Sequence, residues 1–302
     1  MRMLVVSPRF TGDTVTETMS PWGYEFARSA EAKGHTVGLL NGPLIERATL
    51  EGNLRAGKYD FFVWFDHGAS PLHMEQGGGA LPGSTIMTRE DELEVKTWCL
   101  DLKNCDCLRG VHAYAMACFA TFGVGPKAVE QGCLSYSGFK LPGILMPAAP
   151  VPFKEQAFLY PNAIVDGKSL GEAWEAYDKT WDVVKGALPT IWPPGVPTAM
   201  ALTWNYLIFT QILPAEEKTH NPLPFTASDR RRAVAQIEGI KGTMRTQLVR
   251  FTAEEKRKPF ISFGARTLTL EEFLAELGKG LGTALYEALV AGLVELYKRG
   301  IL

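Results

Sequence analysis

Residues 61–68 read FFVWFDHG, five apolar residues that run directly into a carboxylate, an imidazole and a glycine. A short and continuously apolar run of this kind is typical of a strand that is buried on both faces of a parallel sheet. Similar runs lie at 3–7, 36–40, 111–116 and 134–137. We therefore predict one sheet of five strands within the first 140 residues, with 61–65 as its third strand.

The segments between these runs have helical character. Helices are predicted over 22–33, 44–56, 89–103 and 122–131, and a glycine closes three of them, at positions 34, 57 and 132. Strands that alternate with crossover-length helices predict an α/β fold, a mainly parallel, flavodoxin-like sheet with helices on both faces. Such sheets place their functional sites on the loops that follow the carboxyl ends of the strands.

The second half of the chain has a different pattern. Four prolines within 141–153 predict an irregular loop, and 169–184 predicts a helix. The uncharged stretch 198–213 is shorter than the roughly 20 residues that a membrane span needs, so a buried strand or helix is expected there. Residues from 228 onward are charged and helical, and a leucine stripe runs from 281 to 293. We predict an α/β domain over 1–225 and a helical C-terminal extension or subdomain over 226–302.

Composition narrows the class of protein. Apolar residues make up 46% and charged residues 21% of the chain, which is typical of a globular protein rather than a disordered one. The formal net charge of −2 lacks the basic excess of a protein that binds nucleic acid or an anionic membrane. Five cysteines cannot all pair, and the first ten residues, MRMLVVSPRF, do not fit a signal peptide. A reducing, cytoplasmic location is expected, with no membrane and no nucleic-acid partner.

A candidate base and a candidate nucleophile lie where the predicted sheet places a site. His67 follows the third strand, and Cys118 follows the fourth. If these strands are neighbours, both side chains face one cleft, where an imidazole can favour a thiolate and later protonate a leaving amine. The glycine at position 68 allows its backbone N–H to approach a substrate closely. The N–H groups of Gly68 and Cys118 could then form an oxyanion hole.

The sequence around these residues resembles a known family. The motifs are strand-His-Gly, then ACFATFG at 117–123, GPKAV at 125–129, GCLSYSGF at 132–139 and GKSLGEA at 167–173. Over about residues 1–215 they resemble cysteine peptidases of the caspase–hemoglobinase fold, nearest the gingipain and CHAT-domain branch. Met116 stands where the caspase type has glutamine before Ala-Cys.

The resemblance implies a caspase-like fold and a thiol endopeptidase that forms an acyl-enzyme on a protein or peptide substrate. It implies His67 as general base and acid, Cys118 as nucleophile and the Gly68 N–H in the oxyanion hole. The family commonly uses a dyad, so no third catalytic member is assigned. A regulatory protein is a further expected partner, and neither a metal nor a cofactor is expected.

Other residues are weaker candidates. Asp66 is interpreted as a loop-capping or pocket carboxylate, and Trp192 and Trp204 as substrate-pocket residues. Glycines 77–79 predict a flexible loop beside the cleft, and His73 is expected to be exposed on that loop. A metal site would draw on three clustered cysteines and a nearby histidine (Cys99, Cys105, Cys107 and His112), but their spacing matches no common zinc pattern.

Two alternatives remain open beside the peptidase. One is a catalytically inactive binding or scaffold module on the same fold. The other is a Cys-dependent amidohydrolase of the amidotransferase kind, whose histidine follows the cysteine and would have to be His220. The residues do not decide the substrate preference, nor whether cleavage or a partner activates an enzyme.

Overall fold

The structure is a computed structural model that describes residues 1–69, 78–87, 93–189, 195–220, 224–264, 266–280 and 282–302. In the first half of the chain the elements are β1 Arg2–Pro8, α1 Thr14–Ala32, β2 Thr36–Gly42, α2 Arg47–Gly57, β3 Phe61–Phe65, β4 Leu81–Met87, β5 Leu93–Leu100, β6 His112–Met116, α3 Val124–Glu130 and β7 Ser135–Phe139. A short 3-10 turn, Cys105–Leu108, precedes β6.

In the second half the elements are β8 Ile144–Leu145, α4 Pro150–Val165, α5 Leu170–Tyr177, α6 Thr180–Ala187, α7 Gly195–Ile208, β9 Phe209–Leu213, β10 Glu216–Thr219, α8 Ala227–Leu248, α9 Ala253–Lys256, β11 Pro259–Phe263, β12 Arg266–Thr269, α10 Leu270–Lys279 and α11 Ala284–Lys298.

A seven-stranded sheet forms the centre of the molecule. Its strand order is β10-β9-β7-β6-β3-β1-β2. The five strands β2, β1, β3, β6 and β7 pair in parallel, and β9 and β10 add an antiparallel edge. These five are the strands that the apolar runs predict, so the predicted mainly parallel α/β sheet is confirmed.

Alternate residues of the central strands pack against opposite helix layers. Val63 and Phe65 belong to a core cluster with α1 and α4–α7, whereas Phe62 and Trp64 belong to a second cluster with α2 and α3. Strand side chains point to opposite faces in turn, so a strand covered by helices on both sides must be apolar throughout. This explains the uninterrupted run at 61–65.

The predicted helix over 89–103 is wrong. Leu93–Leu100 is β5, which pairs antiparallel with β4 in a separate two-stranded sheet. The sequence of β5, LEVKTWCL, alternates between apolar and polar residues over its first four positions. That period of two belongs to a strand, but the charges between the apolar residues also suit an exposed helix face.

Three further boundaries differ from expectation. The proline-rich segment 141–153 contains β8 and the start of α4, because Pro150 occupies the first turn of a helix, where its missing N–H costs nothing. The predicted helix 169–184 is two helices, α5 and α6. The uncharged stretch 198–213 contains most of α7 and all of β9, a buried helix followed by a buried strand.

The C-terminal segment 226–302 is helical as predicted, but it also contributes β11 and β12. These strands join β8 in a three-stranded sheet. Apolar side chains of α10 and α11 belong to the same core cluster as α1 and α4–α7. The contact is close at Gly292, where a Cβ would lie 2.4 Å from the carbonyl oxygen of Met200 in α7. The boundary at 225/226 stays a prediction.

Across the part of the chain that the structure describes, no single helix combines the length and apolar character needed to cross a membrane. Among the same described residues, the pair α10 and α11, with a bend of 86° between them, meets that criterion by length and composition.

Candidate active site

Three loops meet at the carboxyl edge of the sheet. They follow β1, β3 and β6, which are neighbours in the strand order, and they carry Asp13, His67 and Cys118. The β3–β6 register pairs Phe65 with Met116. His67 lies two positions after Phe65 and Cys118 two positions after Met116, so both residues leave the sheet at the same level. The adjacency that the sequence predicts for these two loops is therefore present.

His67 is held by a carboxylate that the sequence did not reveal. Its Nε2 lies 2.9 Å from Oδ2 and 3.1 Å from Oδ1 of Asp13, and both side chains are buried. Asp13 is also the N-cap of α1, because its Oδ1 accepts hydrogen bonds from the N–H groups of Val15 and Thr16. The predicted start of this helix at residue 22 is wrong: α1 begins at Thr14, which makes Asp13 the residue before it, where an aspartate caps a helix.

Burial and charge act in opposite directions on this pair. Burial alone would raise the pKa of Asp13, but the charge and hydrogen bond of His67 and the two α1 N–H groups lower it overall. Burial alone would lower the pKa of His67, but the Asp13 carboxylate raises it overall. The site therefore favours an imidazolium–carboxylate pair.

The same shifts set the pH range in which the pair stabilises the fold. The contribution of His67 is fully present below its ordinary pKa of 6.5 and is lost as the pH rises through the raised value. The contribution of Asp13 is present above its ordinary pKa of 3.8 and is lost as the pH falls through the lowered value. Both contributions are complete only between these two ordinary values.

We expect Asp13→Asn to lower the pKa of His67 to below 6.5, because burial would then act without the opposing carboxylate. Asparagine is as good an N-cap as aspartate, so α1 keeps its start. Histidine ring NMR titrations of both proteins measure the change, with His67→Gln to assign the signal. Asp166→Asn, at an exposed ion pair with Lys33, is the control and should leave the titration of His67 unchanged. An unaltered pKa in Asp13→Asn would contradict the pairing.

Cys118 sits at a constrained turn directly after β6. Its Sγ accepts a hydrogen bond from the Gly143 N–H at 3.3 Å. The next residue, Phe119, has a φ of 57°, a left-handed conformation that is uncommon for a residue other than glycine. Burial raises the pKa of the Cys118 thiol to about 11, against the opposing effect of the Gly143 N–H. At neutral pH the resting side chain is a thiol.

The loop after β3 packs directly on the backbone of Cys118. A Cβ on Gly68 would lie 1.9 Å from the carbonyl oxygen of Cys118 and 3.1 Å from its nitrogen. Only glycine allows this approach. Neither the Gly68 N–H nor the Cys118 N–H donates a hydrogen bond to another described residue. Their role as an oxyanion hole stays a prediction.

His67 and Cys118 line one pocket of about 370 Å³, a volume that includes its opening to solvent. Its walls are mostly apolar and come from α1, from the ends of β6 and β7, and from the segment 143–145. Ser262 and Gly264 from the C-terminal hairpin complete it. No hydrogen bond joins the Cys118 sulfur to the His67 ring, both of which the structure describes.

Asp66 lies at this pocket, but its carboxyl group is buried, and neither oxygen has a hydrogen-bond partner among the described residues. Burial raises the pKa of Asp66 well above its ordinary range, which favours the neutral form of its carboxyl group. Its role as a substrate carboxylate stays a prediction.

Trp204 does not line the pocket around Cys118. Its indole N–H donates to the carbonyl oxygen of Pro142, 2.8 Å away, and so anchors the segment that leads to Gly143. Trp192, His73 and Gly77 lie outside the described residues. Gly78 and Gly79 are described and buried, and the Gly78 carbonyl accepts from the N–H groups of Gly123 and Val124 beside the Cys118 loop.

The other four thiols are buried (Cys99, Cys105, Cys107 and Cys133). Burial raises the pKa of Cys105 to about 11 and that of the other three to about 12. None of the four lines the pocket that contains His67, which separates them from Cys118. Within the described ranges no three histidine, cysteine or acidic side chains are close enough to hold a metal ion. The nearby His112 instead contacts the Ser135 hydroxyl at 2.9 Å.

His220 lies away from Cys118. It follows the edge strand β10, and its ring stacks between Trp174 and Tyr206, with centroids 4.1 Å and 3.9 Å away. Burial lowers its pKa to about 4. The structure therefore does not bring His220 to Cys118, as the amidotransferase alternative requires.

The fold and the site define an α/β protein with a buried carboxylate–imidazole pair and a cysteine at adjacent strand ends. No family model matches the chain, and a search of curated proteins finds no significant match. The resemblance to caspase–hemoglobinase peptidases therefore rests on the motifs quoted above.

Proposed function

We propose that the chain is a cysteine endopeptidase that uses Cys118 as nucleophile, His67 as general base and acid, and Asp13 to hold and polarise His67. One observation carries the proposal. His67, fixed by a buried carboxylate, and Cys118 line the same pocket at the ends of adjacent strands. A thiol, an imidazole and an orienting carboxylate are the groups that thiol-dependent acyl transfer needs.

The proposed reaction begins with a neutral thiol. Because Asp13 occupies Nε2, the Nδ1 of His67 is the ring nitrogen that takes the proton from Cys118 as its sulfur attacks the peptide carbonyl carbon. The imidazolium that results is stabilised by Asp13, and the oxyanion accepts from the N–H groups of Gly68 and Cys118. Breakdown transfers the proton to the leaving amine and leaves a thioester on Cys118, which water then hydrolyses with His67 again as the base.

The protonation states predict the pH dependence of this reaction. The base must be a neutral imidazole, whereas Asp13 raises the pKa of His67. The acid limb of kcat/KM should therefore lie above pH 6.5, and Asp13→Asn should move it to lower pH.

Comparing His67→Ala with His220→Ala tests the proposal. We expect His67→Ala to lower kcat for peptide hydrolysis about 10²–10⁴-fold, the usual contribution of a general base. His220→Ala removes a ring from the Trp174–Tyr206 stack and should leave kcat within a few-fold of wild type. The measurement is the appearance of new peptide termini, by mass spectrometry, from a defined peptide mixture. Equal losses in both variants would overturn the proposal.

A binding module without catalysis is the second candidate, and one observation favours it. Burial raises the pKa of Cys118 to about 11, and no hydrogen bond links its sulfur to His67. A binding module would alkylate only at high pH, with the same midpoint in wild type and His67→Ala. A peptidase would show an additional rise in alkylation near the pKa of His67, and that rise would be absent from His67→Ala.

A further inference from the structure

The short strand β8 lies beside the Cys118 sulfur, and both of its edges are covered. On one edge the Asn205 side chain from α7 binds the backbone of Ile144, accepting from its N–H and donating to its carbonyl, each at 2.8 Å. These two bonds help to hold the two-residue strand in an extended conformation. They also leave one main-chain edge of β8 able to pair with another strand.

The strand β11 covers that second edge. It runs antiparallel to β8, pairing Phe263 with Ile144 and Ser262 with Leu145. One residue further on, the Gly264 N–H donates to the Gly143 carbonyl at 3.3 Å.

Gly143 connects this pairing to the candidate nucleophile. In an extended chain the N–H and carbonyl of one residue point to the same side. The Gly143 carbonyl binds Gly264, and the Gly143 N–H binds the Cys118 sulfur. A chain that lies along this edge therefore arrives at the sulfur. In this structure that chain is β11, and both Ser262 and Gly264 line the pocket that Cys118 and His67 share.

An extended peptide is the ligand that such an edge recognises, through main-chain hydrogen bonds that any sequence can form. We propose that β11 occupies the edge on which a peptide substrate would add as a strand, so that the C-terminal hairpin β11–β12 keeps the site closed to peptides until it moves. This inference rests on the peptidase function proposed above. Because the residue Cys118 is partly exposed, we expect small reagents to reach it without movement of the hairpin, whereas a peptide must displace the hairpin.

Gly264→Val tests the inference in the intact chain of 302 residues. Gly264 has a φ of 60°, which valine adopts poorly, so the variant strains the turn beside Cys118. We expect the labelling of Cys118 by acetyl-Ala-Ala-Ala chloromethyl ketone to become about ten-fold faster, since a strained backbone is enough to shift a two-state equilibrium by that factor. Labelling by iodoacetamide should change by less than about three-fold, because that reagent does not need the strand edge.

Gly167→Val is the matched control. Its φ of 79° carries the same kind of strain, and it lies in the α4–α5 connection, away from the pocket. The four buried thiols report unfolding, because peptide mapping detects their alkylation only when the core opens. A folded Gly264→Val that labels with the peptide reagent no faster than Gly167→Val would overturn the inference.

If Gly264→Val does not fold, a second measurement on the wild type tests the inference. In the wild type at increasing urea, the peptide reagent should label Cys118 at concentrations below those that expose Cys133. Simultaneous labelling of both thiols would overturn the inference, since the hairpin would then open only with the core. Labelling needs no hydrolysis. If the hairpin opens but no peptide is cleaved, the proposed peptidase function is contradicted. The inference that the hairpin covers the edge of β8 would still stand.

Discussion

Cys118→Ala is expected to abolish peptide hydrolysis, with a fall in kcat of at least about 10⁴-fold, because no other described thiol is both partly exposed and in the pocket that contains His67. The side chain is small and partly exposed, and it makes one hydrogen bond, with the Gly143 N–H. Removing it should cost less than about 1 kcal/mol of the free energy of unfolding, as for most substitutions outside a core. Activity should therefore disappear from a protein that still folds.

Cys107→Ala provides the control. Cys107 is buried and removed from the pocket. The variant should keep its activity and lose about 1 kcal/mol of stability through the small cavity it creates. Peptide hydrolysis and urea denaturation of both variants give the comparison. A Cys118→Ala protein that still cleaves peptides at the wild-type rate would exclude Cys118 as the nucleophile.

The parallel sheet could be predicted because burial on both faces leaves a continuous apolar run in each strand. The β4–β5 hairpin could not, because its alternating pattern with interspersed charges also fits a helix. The candidate nucleophile and base were predictable for a local reason. Each follows directly on a strand end, and the strand order places those ends side by side.

Two features of the site join residues that are far apart in the sequence, and no local sequence pattern predicts them. Asp13 reaches His67 across 54 positions of the chain, and its role as a helix cap would have been found only with the correct start of α1. The pairing of β8 with β11 consists of two residue pairs, too short for a periodic pattern, and its partners lie far apart in the sequence. Tertiary packing alone determines such contacts.

The Asp13 side chain has both a structural role and a proposed chemical role. It caps α1 and binds His67 through the same carboxylate, so the start of the helix fixes the position of the imidazole. Asp13→Asn separates the two roles because it keeps the cap and removes the charge. Asp13→Ala would remove both, at an additional cost of about 1 kcal/mol for the lost cap.

Gly68→Ala is expected to lower activity at least about 10²-fold and to destabilise the fold by about 2–4 kcal/mol. The added Cβ would lie 1.9 Å from the carbonyl oxygen of Cys118, so the backbone of one of the two loops must move. Any such movement displaces the two N–H groups proposed to bind the oxyanion, where a shift of about 1 Å can cost 10²-fold in rate.

Gly52→Ala makes the same chemical change in α2, where no atom lies within 4 Å of the added Cβ. It should stabilise the protein by about 0.5–1 kcal/mol, as expected for glycine to alanine in a helix, and leave hydrolysis unchanged. Urea denaturation and kcat for both variants measure the contrast. Cys118→Ala should lose activity and keep its stability, whereas Gly68→Ala should lose both. A Gly68→Ala protein as stable as the wild type would show that the two loops do not meet as closely as the site requires.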